Sequence, residues 1–190
     1  MLCVEKKPRC VSRSSSFESR TAELKRLREG SFLFVKHLGS GAYGRVDLVQ
    51  DDTTGEQLAV KTALLPPAEH NPSLTTLREI SALTALRGVE HVVQLVAFHI
   101  DTPERRSTIY MEAAETTLAN KIKENAPKGG GWGLTREART ILYEVTCAMR
   151  SINAAGVWHR DLKPENVLIM RDGGAKVADF GLSRDASSSK

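Results

Sequence analysis

The run His159-Arg160-Asp161-Leu162-Lys163-Pro164-Glu165-Asn166 places an acid, a lysine and an amide within a few residues, and Asp179-Phe180-Gly181 follows soon after. Asp161 is suited to accept a hydroxyl proton, or to orient a hydroxyl for in-line attack. Lys163 can neutralise a phosphoryl group in motion. Asn166 and Asp179 offer hard oxygen atoms of the kind Mg²⁺ takes. The 18-residue separation of Asp161 and Asp179 is enough for one hairpin that returns both to a single site.

Upstream, Gly39-Ser40-Gly41-Ala42-Tyr43-Gly44 has the Gly-x-Gly-x-x-Gly spacing. A dinucleotide fingerprint of that form needs a helix directly after it. Here Arg45, Val46, Asp47 and Leu48 alternate with the period of a strand. The glycines therefore suit a flap over a triphosphate, since a Cβ would hold backbone N–H groups away from phosphate oxygens. Lys61, a single charge in the apolar context Ala59-Val60-Lys61, could reach the α- and β-phosphates if a carboxylate held it in place. Glu79, 18 residues further on, is the candidate carboxylate.

These side chains require elements to position them. Phe32, Phe34, Val35 and Leu38 predict a strand entering the glycines, followed by a second strand and by a third at 58–61, with Thr54-Gly55-Glu56 turning between them. Pro66, Pro67 and Pro72 break the chain. Ser73 or Thr75 can cap a helix that turns Leu77, Ile80 and Leu83 inward and stops at Gly88. Strands are expected at 92–98 and 107–112, a short helix at 120–125, and a flexible loop at 128–133. Thr135 can cap a longer helix whose Ala138, Ile141, Leu142, Val145, Ala148, Met149 and Ile152 form one apolar face, closed by Gly156. Short strands at 167–169 and 175–178 flank a turn at Asp172-Gly173-Gly174. The expected class is α+β, with a strand-rich unit followed by a helical one.

Taken together, the glycine flap, Ala-Val-Lys, the helix Glu, His-Arg-Asp with Asn five residues on, and Asp-Phe-Gly resemble the signature set of eukaryotic protein kinases over about residues 32–185. The resemblance implies the bilobal kinase fold, with Lys61, Glu79, Asp161 and Lys163 as catalytic residues and Asn166 and Asp179 on Mg²⁺. It implies ATP held by Gly39, Ser40, Gly41, Ala42, Tyr43, Gly44 and Val46, with Ala59 and Leu168 around the adenine. Met111 would stand behind the ring, and Glu112 to Ala114 would form the hinge. Leu83, Leu95, His159 and Phe180 would stack as a spine between the lobes. Asp-Leu-Lys-Pro-Glu-Asn is similar to the serine/threonine branch, so the implied substrate is a protein hydroxyl. Residues 72–80 look like the PSTAIRE-type helix of cyclin-dependent kinases, one residue longer, which implies a cyclin-like activator. The inhibitory Thr-Tyr pair of that group is Ala42-Tyr43 here, so only Tyr43 could serve such control.

On this resemblance the chain divides into a tail at 1–30, an N-lobe at 31–112, a hinge at 113–116 and a partial C-lobe at 117–190. Nine residues follow Gly181, so a complete N-lobe and only the first part of the helical lobe are expected. Arg160 would then lack the phosphorylated partner it often meets in such kinases. The expected function is serine/threonine phosphoryl transfer from an incomplete catalytic domain. The alternative is a module that binds ATP or a cyclin-like partner without turnover.

Bulk properties agree with an intracellular protein of the cytoplasm or nucleus. The net charge of +4 falls on residues 1–30, with eight Lys/Arg against four Asp/Glu; the remainder is balanced, with 19 of each. No nucleic-acid footprint is therefore expected from the body, and the basic, Ser-rich tail reads as flexible. No apolar run approaches the roughly 18 residues of a membrane span, and no secretory h-region is seen. Cys3, Cys10 and Cys147 fit no zinc or disulfide pattern; Cys147 is expected in the core.

Overall fold

The computed structural model describes residues 32–41, 44–64, 73–101, 103–125, 133 and 135–186. The expectations for the tail, for Ala42 and Tyr43, for Pro66, Pro67 and Pro72, and for nearly all of the 128–133 loop lie outside the described residues.

Five antiparallel strands make the first unit: β1 (Phe32–Gly41), β2 (Gly44–Asp51), β3 (Gln57–Leu64), β4 (Leu95–Asp101) and β5 (Arg106–Glu112). Their order in the sheet is β1-β2-β3-β5-β4. Helix α1 (Leu74–Ala85) lies between β3 and β4 in sequence. The Ser73 hydroxyl accepts from the Thr76 N–H at 3.2 Å, closing one of the open donors at the helix start. The second unit holds β6 (Thr116–Thr117), α2 (Leu118–Asn125), α3 (Arg136–Ala154), β7 (Val157–Trp158), β8 (Val167–Ile169), β9 (Ala175–Val177) and β10 (Arg184–Asp185). Thr135 caps α3 by accepting from the Ala138 N–H at 3.1 Å. The architecture is the α+β, strand-rich-then-helical arrangement expected.

One apolar cluster runs through both units. Ile80, Leu83, Leu86, Leu95, Ile109 and Met111 from the sheet side join Ala148, Ile152, Val157, Val177 and Phe180 from the helical side. A smaller cluster of Ile141, Val167, Ile169 and Ala175 seats α3 on the β8–β9 hairpin. The units are also joined through backbone. Val93 N–H donates to Val177 O at 3.0 Å, and Val177 N–H donates to His91 O at 2.8 Å.

Four local expectations are corrected. The fourth strand starts at Leu95, not at 92, because Val92 and Val93 leave the sheet to meet β9 and are buried there. Leu77 faces solvent, 41% exposed. With 3.6 residues per turn it lies about 200° from Glu79, and Glu79 is the buried one. Leu142 is 54% exposed, because the buried stripe of α3 is Ala138, Ile141, Ala148 and Ile152. Cys147 is only half-buried.

Leu83, 1% exposed in the middle of the shared cluster, has no room to be shortened without a void. Leu83→Ala is expected to cost about 2–5 kcal/mol, read as a lowered urea midpoint at unchanged slope.

Candidate active site

The sheet and the helical unit enclose a cleft of about 480 Å³. Its roof is Leu38 and Gly39 of β1, Val46 of β2, and Ala59 and Lys61 of β3. Met111, Glu112 and Ala114 close the back, and Leu168 with Asn166, Ala178 and Asp179 forms the floor. Apolar walls carrying a few convergent polar groups are what a ligand cleft requires.

Lys61 enters this cleft from β3, where its register partner on β2 is Val46. Its Nζ lies 2.6 Å from Glu79 Oε2 and 3.5 Å from Asp179 Oδ1. Glu79 projects from the inner face of α1 and its side chain is only 3% exposed. Burial pulls the Lys61 ammonium down, but Glu79 and then Asp179 outweigh it, so its pKa stands above the ordinary 10.5. Burial pushes the Glu79 carboxyl up, against the pull of Lys61. The direction that governs the pair is that of Lys61, whose ammonium sits between two carboxylates.

Asp179 holds a backbone φ of +62°, a left-handed conformation that a non-glycine residue keeps only under constraint from its surroundings. Phe180, next in the chain, is fully buried, and its ring lies 4.8 Å from that of His159 at 63°. His159 is pinned on both nitrogens. The Asp161 N–H donates to Nδ1 at 3.2 Å, so the proton resides on Nε2, which donates to Ala178 O at 2.9 Å. Gly181 abuts α1: a Cβ there would stand 2.7 Å from the Thr75 methyl.

Asp161 heads a second group. Lys163 Nζ donates to its Oδ2 at 2.7 Å, and Asn166 Nδ2 donates to its backbone O at 2.8 Å and to Oδ2 at 3.1 Å. The Lys163 hydrogen bond holds the Asp161 carboxyl below its ordinary value of 3.8, and the same contact raises Lys163. With its NH₂ engaged by Asp161, Asn166 has its carbonyl oxygen left for the cleft it lines. Asn166 and Asp179 thus present oxygen donors on one cleft floor, which fits Mg²⁺.

A protein kinase domain model matches residues 32–190. The chain belongs to the protein kinase family. It is 33% identical to the mitogen-activated protein kinase mpkA of Aspergillus fumigatus over 155 residues, covering 80% of this chain and 35% of that protein. Mitogen-activated protein kinase 13 of Oryza sativa subsp. indica is 36% identical, over 78% of this chain and 29% of its own length. CBL-interacting protein kinase 22 of Oryza sativa subsp. japonica is 31% identical, over 84% and 38%. The chain spans about a third of the length of these curated relatives.

In this kinase chain the structure gathers Gly39, Val46, Ala59, Lys61, Glu79, Met111, Glu112, Ala114, Asn166, Leu168 and Asp179 on the cleft. Ser40, Gly41 and Gly44 do not line it, and neither do Asp161 and Lys163, which stand beyond Asn166. Gly44 has another constraint: its φ is +118°, and a Cβ there would run into the Thr62 carbonyl of β3. Arg160, expected to lack a phosphorylated partner, has φ +66° and donates from Nε to the backbone carbonyl of Leu182 at 2.8 Å.

Sequence reasoning missed Val93, Thr116, Thr117, Asn120 and Glu165 on the cleft. It also missed the clamp on Glu112, whose carboxylate accepts from Lys176 Nζ at 2.7 Å on both oxygens and from Gln94 N–H at 2.7 Å. Lys176 sits in the inward–outward alternation of β9, but no spacing rule connects it to a residue 64 positions earlier. Among the described residues no helix is long and apolar enough to cross a membrane.

The folded pKa of Lys61 lies above its unfolded value, so its pairing stabilises the fold fully below about 10.5 and is lost as pH rises through the folded value. Lys61→Met is expected to cost up to about 3 kcal/mol at neutral pH. The gap from wild type, followed by urea unfolding across pH, should close only on the strongly alkaline side.

Proposed function

We propose that this chain binds Mg-ATP in the cleft and serves serine/threonine protein phosphorylation, the γ-phosphoryl group passing to a protein hydroxyl. The observation that carries the reading is Lys61 Nζ, held by Glu79 at 2.6 Å and facing Asp179 at 3.5 Å inside the cleft. A buried ammonium with two anchoring carboxylates is a preorganised anion contact. Its place between the Val46 roof and the Asp179 floor suits the α- and β-phosphates.

Ala59 and Leu168, on opposite walls, leave a flat apolar slot for adenine, and the Glu112–Ala114 backbone supplies its polar edge. Asp161, kept ionised by Lys163, is the group that takes or orients the proton of the attacking hydroxyl. Lys163 then lies where charge develops on the transferred group. Mg²⁺, when bound through Asn166 and Asp179, would neutralise phosphate charge. The serine/threonine assignment is supported by Asp161-Leu162-Lys163-Pro164-Glu165-Asn166, which is similar to the serine/threonine branch of the family.

A second reading, a module capturing a cyclin-like partner with or without ATP, has one observation in its favour. Leu74 and Leu77 on the outer face of α1 are 68% and 41% exposed. Against a need for such a partner, Glu79 already meets Lys61 in the chain alone. The mitogen-activated and CBL-interacting relatives add no support for the cyclin-dependent group.

Calorimetric titration of Mg-ATP into the chain tests the first reading. Binding is expected, weakened about 10- to 100-fold in Lys61→Met, the loss of a charge-assisted contact, and less dependent on Mg²⁺ in Asp179→Ala, where Asn166 remains as the other ligand. Wild-type protein that ignores Mg-ATP would sink the nucleotide assignment. Asp161→Asn should lower transfer to a serine- or threonine-containing peptide by about 100-fold or more. Because the Asp161 pKa is depressed, the wild-type acid limb from this group should fall below pH 3.8.

A further inference from the structure

At the tip of the β1–β2 hairpin three side chains form a chain that the function proposed above does not use. Ser40 Oγ lies 2.9 Å from His37 Nε2, and His37 Nδ1 lies 2.8 Å from Asp47 Oδ1. Asp47 is in turn gripped by Arg45, whose Nε donates to Oδ1 at 2.8 Å and Oδ2 at 2.7 Å.

The backbone explains how they meet. His37 and Asp47 are direct cross-strand partners, so their side chains share a face. Ser40 is three residues from His37 and would point to the opposite face of a regular strand. The irregularity between His37 and Gly39 inserts one extra step and brings Ser40 round to the histidine. Ser40 is itself the register partner of Arg45.

Asp47 is a carboxylate, held below its ordinary value first by Arg45 and then by His37, and it accepts from Nδ1–H. In the neutral imidazole, a proton on Nδ1 shared with Asp47 leaves Nε2 to accept from the Ser40 hydroxyl. The result is a nucleophile, a base and an orienting acid in hydrogen-bond sequence. The serine is exposed at the rim of the nucleotide cleft, which it does not line but its neighbours His37 and Gly39 do.

We propose that Ser40 is a base-activated acceptor of phosphoryl groups, with His37 removing its proton and Asp47 as the positioning residue for His37. With ATP as donor, which rests on the function proposed above, the Ser40 Oγ–phosphorus bond forms as the bond from the γ-phosphorus to the β–γ bridging oxygen breaks. ADP leaves with the electron pair, and the serine proton passes to His37 Nε2. Arg45, the register partner of Ser40 across the hairpin, would have to leave Asp47 to meet the phosphoserine formed. A dianion placed there beside Gly39 opposes the charge of an incoming triphosphate, so modified protein should bind Mg-ATP at least about tenfold more weakly.

The test uses two reagents on the 190-residue chain: Mg-ATP, and a fluorophosphonate that reports activated serines with loss of fluoride and has no need of the nucleotide cleft. Adducts are located by peptide mass spectrometry, and ATP binding is titrated on the same preparations. The expected result is an adduct on Ser40 with both reagents, none at that position in Ser40→Ala, and a drop of about 100-fold or more in His37→Ala. Added imidazole should restore labelling of His37→Ala, which a merely structural histidine would not allow. Asp47→Asn should label slowly while retaining its fold by circular dichroism. Labelling by the fluorophosphonate in protein that fails to bind ATP would uphold the activated serine and overturn only the nucleotide reading. Protein that binds ATP but shows no adduct on Ser40 with either reagent, or labels equally in wild type and His37→Ala, would overturn the proposal.

Discussion

The contact between Lys61 and Glu79 is the constraint around which the rest is arranged. A lysine and a glutamate taken out of water lose solvation that only close pairing offsets. Each therefore needs an element that cannot drift. β3 is the central strand of five, fixed on both sides by β2 and β5. α1 is fixed by the burial of Ile80 and Leu83 in the shared cluster. Turning Glu79 inward determines which side of α1 is wet, so the exposure of Leu77 is a consequence of the ion pair. Asp179, the second carboxylate on Lys61, extends the constraint into the helical unit through Phe180 and His159.

Much of this was readable in the chain because the chemistry fixes residue type as well as spacing. Lys61, Glu79, Asp161, Asn166 and Asp179 are each ordinary on a surface, but their combination and spacing point to one use. Caps were readable for a similar reason: Ser73 and Thr135 stand where a hydroxyl must close an open N–H. The errors came where several positions were apolar and only tertiary context chose among them. Val92 and Val93 extend the pattern of a strand, yet β9 claims them. Leu142 follows the helical period of α3 but lies at the edge of its stripe.

Contacts between distant residues of ordinary type were not readable at all. Glu112 with Lys176 joins two common residues that no local rule connects. His37, Ser40 and Asp47 depend on one backbone irregularity in β1 that reverses the parity of side-chain direction. A sequence pattern assumes a regular period, so groups assembled by a break in that period escape it.

Val177 has a consequence for how the two units can move. Both its N–H and its C=O are used by residues 91 and 93, and its side chain is fully buried. The segment joining α1 to β4 is thereby stitched to the strand two residues before Asp179. The units can rock about this seam, but neither can slide along it without breaking two bonds together.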